Sequence, residues 1–484
     1  MHQMIHRSGA AVLLLALGGC AAIGRPPSAT VDVPVGWSGV VASATLGGAS
    51  LVHWWSRFGD PVLSQLVAQA LRANTDVQGA EAALRQARAL RDVAAGALWP
   101  TLDASASAQH SSAGGKSTGE RIQVGLDASW ELDIFGVNRS ALAATDATAR
   151  ASAASLGEVQ VSIAAEVALA YITLRSAEAL SGIADDNLSS QLETLQITQW
   201  RLQAGLTTSL EAEQAMTQAE QTRALLPVIQ TSIAQSRYAL AVLTGQPPAA
   251  LATALASAGP VPQVAGDLAL SFPADTLRQR PDVRAAEYTM LAAMARVAEA
   301  QAARAPNFTI GGSLGLDALT LAALTQGASV VSVLLASVTM PLFDGGSLRA
   351  QVRAQQAALD QAGSTYKAAV LTALKDVEDA LVALRGDRER FVHLQLAAAA
   401  AANAALLARQ RYRGGVVDFQ TVLDTQRTQL TTQEALATVR AAVSSDHVRL
   451  YKALGGGWQP DGGDAMAQSS QAVRRHNPPS RGQD

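Results

Sequence analysis

Leu71-Arg72, Asp76-Val77, Ala80-Glu81 and Pro100 return as Leu277-Arg278, Asp282-Val283, Ala286-Glu287 and Pro306, always 206 positions later. Beyond the next loop the offset becomes 210 and stays there: Gly136 and Arg139 match Gly346 and Arg349, Arg201 and Gly205 match Arg411 and Gly415, Leu240 and Gly245 match Leu450 and Gly455. One duplication accounts for every pair, so whatever the first half folds into, the second must fold into as well. The halves, 61–245 and 275–457, meet at GQPPAALATALASAGPVPQVAGD, Gly245 to Asp267. This stretch is rich in Pro, Gly and Ala, has no period, and belongs to a linker predicted over 246–274.

Each repeat reads as helix, strand, strand, long helix, break, long helix. Leu63 to Ala97 is predicted helical and stops at Trp99-Pro100, because proline lacks a donor and its predecessor avoids helical backbone. From Thr101 the period falls to two. Leu102, Ala104, Ala106 and Ala108 take one face, with Asp103, Ser105, Ser107 and Gln109 opposite. The alternation resumes with Ile122, Val124, Leu126, Ala128, Trp130, Leu132 and Ile134 against Gln123, Asp127, Ser129, Glu131 and Asp133. Strands are therefore predicted at 101–111 and 121–135. The second repeat places them at 307–317 and, less cleanly alternating, at 329–342. One apolar and one charged face over such lengths fits a transmembrane β-barrel lined with water. A soluble sandwich has the same alternation, but only four such strands exist and no second sheet is available to cover them. Four strands cannot close a membrane barrel, whose smallest members have about eight, and lipid does not tolerate an open sheet edge. Several chains must share one barrel, whether two, three or more.

The remaining length is helical hairpin, 138–245 and 347–455. Leu142, Ala149, Leu156, Ile163, Ala170, Ala177 and Ala184 recur every seven residues, then Leu188, Leu195 and Leu202 continue in a shifted register. A heptad sustained this long predicts coiled-coil packing, and alanine at the seam permits close helix approach. At 1.5 Å per residue the first helix would be a rod of roughly 90 to 100 Å. Hydrophobic residues make up 49% of the chain and aromatics only 4%, which suits helices packed through small side chains rather than a bulky core. The fold class predicted is an α+β membrane protein, a shared β-barrel continued by helical hairpins.

Arg7 followed by the apolar run Gly9 to Leu17 fits a signal peptide over 1–19. Leu17-Gly18-Gly19 before Cys20, the only cysteine, resembles a bacterial lipobox. It implies lipid attachment to Cys20 and, with Ala21 rather than Asp following, the outer membrane of a Gram-negative cell. The alternative is an ordinary secretory signal with an incidental cysteine. Catalytic chemistry is not legible. GGKST, Gly114 to Thr118, looks like the end of a phosphate loop, but His110 stands where its first glycine should be and no helix follows. The seven histidines show no metal-ligand spacing. A net charge of -3 without a basic stripe excludes nucleic acid. The chain is read as neither an enzyme nor a cofactor protein.

Seven segments together resemble a known family: WWSRFGDPVLSQLV from Trp54, ALRANTDVQGAEAALRQAR from Ala70, Trp99-Pro100, ELDIFG from Glu131, PLFDGG from Pro341, YRGGVVDFQTVLDTQR from Tyr412 and LYKALGGGW from Leu450. They are similar to the TolC-like outer-membrane efflux lipoproteins of the NodT group, and the likeness runs from Cys20 to Trp458. The resemblance implies a homotrimer with a twelve-stranded barrel anchored in outer-membrane lipid. Its implied partners are a periplasmic adaptor and an inner-membrane RND-type transporter that delivers small molecules for passive exit. The residues beyond Trp458 lie outside the likeness, and 458–484 have the composition of disordered chain.

The two helix breaks are then the periplasmic tips. Gly205, Gly414 and Gly415 would supply the backbone freedom of a tight turn. In the resembling family the residue matching Asp424 points into the closing tunnel, where symmetry copies make an acidic ring; Leu423 could add an apolar constriction. Asp424 can also be a solvated residue near a helix start, favoured by the dipole. Thr421 stands where some members carry a second acid, and Gln214 aligns with Asp424 in the first repeat, with Glu211 and Glu213 nearby. Arg201, Gly205, Arg411, Gly414, Gly415 and Val416 are the candidates for adaptor contact, or are turn residues with no partner. An outer component of type I protein secretion and a structural periplasmic coiled-coil lipoprotein are the competing readings.

Overall fold

The computed structural model describes residues 51–113, 116–264, 280–326 and 328–459. The expected signal peptide, Cys20, the later part of the linker and nearly all of the tail lie outside the described residues. The elements are α1 (Pro61–Ala73), α2 (Thr75–Gly96), β1 (Thr101–Ala113), β2 (Lys116–Leu132), α3 (Val137–Gln203), α4 (Ser209–Leu243), α5 (Pro281–Ala302), β3 (Asn307–Ala318), the short α6 (Ala323–Gln326), β4 (Ser329–Thr339), α7 (Ser347–Arg413) and α8 (Phe419–Ala453). Helices α3 and α7 are both 67 residues long, and the return helices α4 and α8 are both 35. Equal lengths in the two halves are what duplication requires.

One helix departs from the expectation. The helix predicted without interruption from Leu63 to Ala97 is two helices, parted at Asn74, which leaves helical backbone at ψ 137°. Its side-chain oxygen accepts from the N–H groups of Asp76 and Val77, at 2.8 and 3.3 Å, and so starts α2 as a cap. Its amide nitrogen donates to the Leu243 carbonyl at 3.0 Å. Arg280, 206 positions on, performs the same tie in the second repeat, donating to the Ala453 carbonyl at 2.7 Å while Asp282 and Asp376 hold its other nitrogens. Each half thus fastens the start of the helix that precedes its first strand, α2 or α5, to the end of its last helix.

The chain divides into two compact units. The first holds residues 89–148 and 289–367 of the described chain and is built on an antiparallel sheet in the order β1-β2-β3-β4. The register sets Asp103 against Asp127, Leu126 against Leu314, and Leu314 against Ser332. Ile122, Val124, Leu126, Trp130, Ile310, Leu314 and Leu316 therefore share one face, and Asp103, Asp127, Glu131 and Asp317 share the other. Trp130 donates its indole N–H to the Leu98 carbonyl at 3.1 Å, pinning the sheet end beside the Trp99-Pro100 stop. Each long helix starts on a carboxylate. Asp133 accepts from the N–H groups of Asn138 and Arg139, and Asp344 from those of Leu348 and Gly346, which hold its carboxyl below the usual range.

The second unit, 51–88, 149–288 and 368–459 among the described residues, is helical. Trp54 is fully buried and stacks on Tyr451 at 5.2 Å; truncating such a buried side chain to alanine costs roughly 3–5 kcal/mol. Asp60 caps α1 and also accepts the Tyr171 hydroxyl at 2.8 Å. The buried seam of α3 is apolar at Val161, Ala164, Ala168 and Ile172, and becomes polar toward the break at Asn187, Gln191, Thr194 and Thr198. Length and composition would let α3 and α7 cross a membrane, but Val161, Ala164, Ala168 and Ile172 of α3 are buried in this seam.

Candidate gate and channel lining

Both breaks use one device. Gly205 and Gly415 adopt left-handed backbone, φ 69° and 72°. The N–H of the next residue then reaches back to the carbonyl five before it, Leu206 to Arg201 at 2.8 Å and Val416 to Arg411 at 2.9 Å, closing the helix end. Gly414 differs from the expectation: its φ is not positive, and a Cβ there would make only ordinary contacts, at 3.5 Å or more. Ala204, its counterpart in the first repeat, shows that the place accepts a side chain. The chain restarts at Asp418, whose carboxylate accepts from the Thr421 N–H at 2.9 Å and from its hydroxyl. That pair keeps the Asp418 carboxyl below its ordinary range. Thr208, the matching cap, makes no side-chain capping bond.

Ala215, Ala408, Tyr412, Phe419, Val422 and Leu423 form a buried core joining the two hairpins at these breaks. Leu423 is only 2% exposed there, so the expected apolar constriction by Leu423 is withdrawn. Adjacent residues on a helix point about 100° apart. With Leu423 turned inward, Asp424 is turned outward and exposed, its carboxylate accepting from the Gln420 amide at 2.9 Å.

Polar contacts reinforce this core. Arg201 lies over the Tyr412 ring at 4.5 Å and donates to the Tyr412 carbonyl at 2.7 Å. The Tyr412 hydroxyl donates to Glu211 at 3.2 Å, and Glu211 also accepts from Thr207. Burial pushes the Tyr412 hydroxyl pKa up, so the phenol keeps its proton and its donor role. Arg413 pairs with Glu193, Gln426 donates to Thr194 at 3.0 Å, and Arg427 donates to Gln218 at 2.7 Å. Arg201 is thus a brace between hairpins, not a free adaptor contact, whereas Arg411 and Val416 are exposed. Trp200, Leu206 and Leu210 add exposed apolar surface beside the breaks that the sequence reading missed. Only their lack of a heptad role could have marked them.

Among the described residues no group of three or more His, Cys, Asp or Glu could hold a metal. What the geometry offers is a charged sheet face, an apolar sheet face, and paired hairpins braced at their turns. These are the parts of a channel subunit.

The chain belongs to the outer membrane efflux protein family, whose model matches residues 66–246 and 272–456. It is 32% identical over 451 residues to the pyoverdine export outer membrane protein OpmQ of Pseudomonas putida, covering 90% of this chain and 94% of that one. To the toluene efflux pump outer membrane protein TtgF of Pseudomonas putida it is 31% identical over 466 residues, covering 92% and 96%. The solved outer-membrane channel OprN superposes with a TM-score of 0.80 at 36% identity, over 87% of this chain and 98% of that one. The protein is accordingly an outer-membrane efflux channel component of a Gram-negative bacterium, and not an enzyme.

Proposed function

We propose that three copies of this chain close a twelve-stranded barrel, anchored by lipid on Cys20, and form the passive exit duct of a tripartite pump. The observation that carries the reading is the sheet. Its four strands leave two unpaired edges, and one face is too charged for lipid while the other is too apolar for water. Pairing β4 of one copy with β1 of the next satisfies both edges and sets the charged face around water. A periplasmic adaptor and an inner-membrane RND-type transporter supply the cargo, which, by analogy with the named relatives, is small molecules. The exposed Trp200, Leu206, Leu210, Arg411 and Val416 are the surface we assign to the adaptor. The braces between the hairpins keep the duct shut, and Asp424 faces its axis with its symmetry copies.

The test is the mass of the detergent-solubilised particle together with oxidative cross-linking of cysteines placed on β1 and β4. A three-chain particle with a cross-linked ladder ending at three supports the reading. A monomer, or a dimer closed on itself, contradicts it.

A further inference from the structure

Strand β4 departs from the alternation of the other three. The register sets Val331 against Gly315, Val333 against Ser313 and Leu335 against Gly311, on the face that carries Asp103, Asp127, Glu131 and Asp317. These three aliphatic side chains are 41%, 54% and 60% exposed. A wall meant only to meet water has no use for them. Beside them β3 presents two glycines and a serine, so a furrow runs between an aliphatic wall on β4 and a polar wall on β2. Its floor is tight at one end, where a Cβ on Gly315 would lie 3.0 Å from the Val124 carbonyl oxygen, and open at the other, where a Cβ on Gly311 would meet only an ordinary contact at 3.8 Å.

The polar wall on β2 is Gly125, Asp127 and Ser129, with one carboxylate at its centre and Asp103 behind it on β1. Asp103 and Asp127 stand directly opposite each other across the β1–β2 pair, a like-charge juxtaposition that costs stability. Asp127 is bonded by the Ser105 hydroxyl, a neutral donor, at 2.7 Å. Arg121, on the same face, is already tied to Asp317 at 2.8 Å. We propose that this furrow is a docking track for amphipathic organic cations inside the barrel, the aliphatic wall taking the apolar body and the carboxylates the charged head. The inference rests on the trimeric duct proposed above and names a class of cargo for it.

The test is block of potassium current through the purified protein in planar bilayers by tetraphenylphosphonium, added from the side of the β1–β2 turn. Tetramethylammonium, which lacks the apolar body, is the control. The wild type should be blocked by tetraphenylphosphonium and not by tetramethylammonium. The triple variant Val331→Asn, Val333→Asn, Leu335→Asn should be blocked about tenfold more weakly with unchanged potassium conductance. Asp127→Asn should weaken block with the aliphatic wall intact. Equal block in all of these proteins overturns the proposal. So does loss of the trimer in the triple variant, which would assign the stripe to contact between copies. Well-folded trimers that pass no current at all would overturn the duct reading, and this inference with it.

Discussion

Arg201→Gln should open the duct. Glutamine keeps much of the aliphatic stem but loses the charge and the reach of the guanidinium. The variant gives up the charge-assisted bond to the Tyr412 carbonyl at 2.7 Å, worth about 1.5–3 kcal/mol, and the cation over the Tyr412 ring at 4.5 Å, worth about 0.5–2 kcal/mol. Arg201 is only partly buried, so solvent recovers part of this, and about 2–3 kcal/mol is the loss expected for the braced state. If opening breaks both contacts, the open population rises roughly 30- to 150-fold, at about 1.4 kcal/mol per decade. The assay is single-channel open probability in planar bilayers, paired with the sensitivity of cells to bulky antibiotics. In a Tyr412→Leu background the ring contact is already gone, so Arg201→Gln must add less than it does alone. Unchanged open probability in a well-folded trimer would refute the idea that this brace holds the gate.

Gly415→Ala should cost about 1 kcal/mol or more in thermal stability because its φ is 72°, while Gly414→Ala should be neutral; a melting comparison of the two variants decides it. Asp424→Ala should lower the cation preference measured by reversal potential, and an unchanged value would remove Asp424 from the axis of the duct. Asp446 is 1% exposed, and burial pushes its carboxyl pKa up against the pull of Arg449. A raised folded value makes the charged form costly, so this group's penalty is complete above that value and fades as pH falls toward the ordinary carboxylate range. Asp446→Asn should therefore raise the melting temperature at pH 8 more than at pH 4; an equal shift at both would mean that the charge is not the cause.

The fold was largely legible because its signals are periodic and occur twice. Alternation at Leu102 to Ala108 and Ile122 to Leu132 located strands, and Trp99-Pro100 and Gly205 located stops. Asn74 was not read as a break, since the apolar spacing of α1 runs on into α2; its cap on Asp76 and Val77 is local, but the Leu243 carbonyl that takes its amide lies 169 positions away. The site was read less well for the same physical reason. Tyr412, Glu211 and Arg201 meet between hairpins some 200 positions apart, and no local pattern encodes such a contact. Leu423 was placed beside Asp424 in function because it is beside it in sequence. A helix turns such neighbours apart, and the run Val422, Leu423, Gln426 and Leu430 already marked the inward side. The imperfect alternation of β4 was visible at Val330 to Leu335, but its meaning needed the register against Gly311 and Gly315.

The central claim, that copies of this chain enclose a water-filled path, is tested most directly by adding the purified full-length protein to a planar bilayer under a potassium gradient. The account predicts discrete current steps from trimeric particles, small in the unaltered protein and more often open in Arg201→Gln. Trimeric, folded protein that inserts and leaves the bilayer electrically sealed in both forms would contradict it.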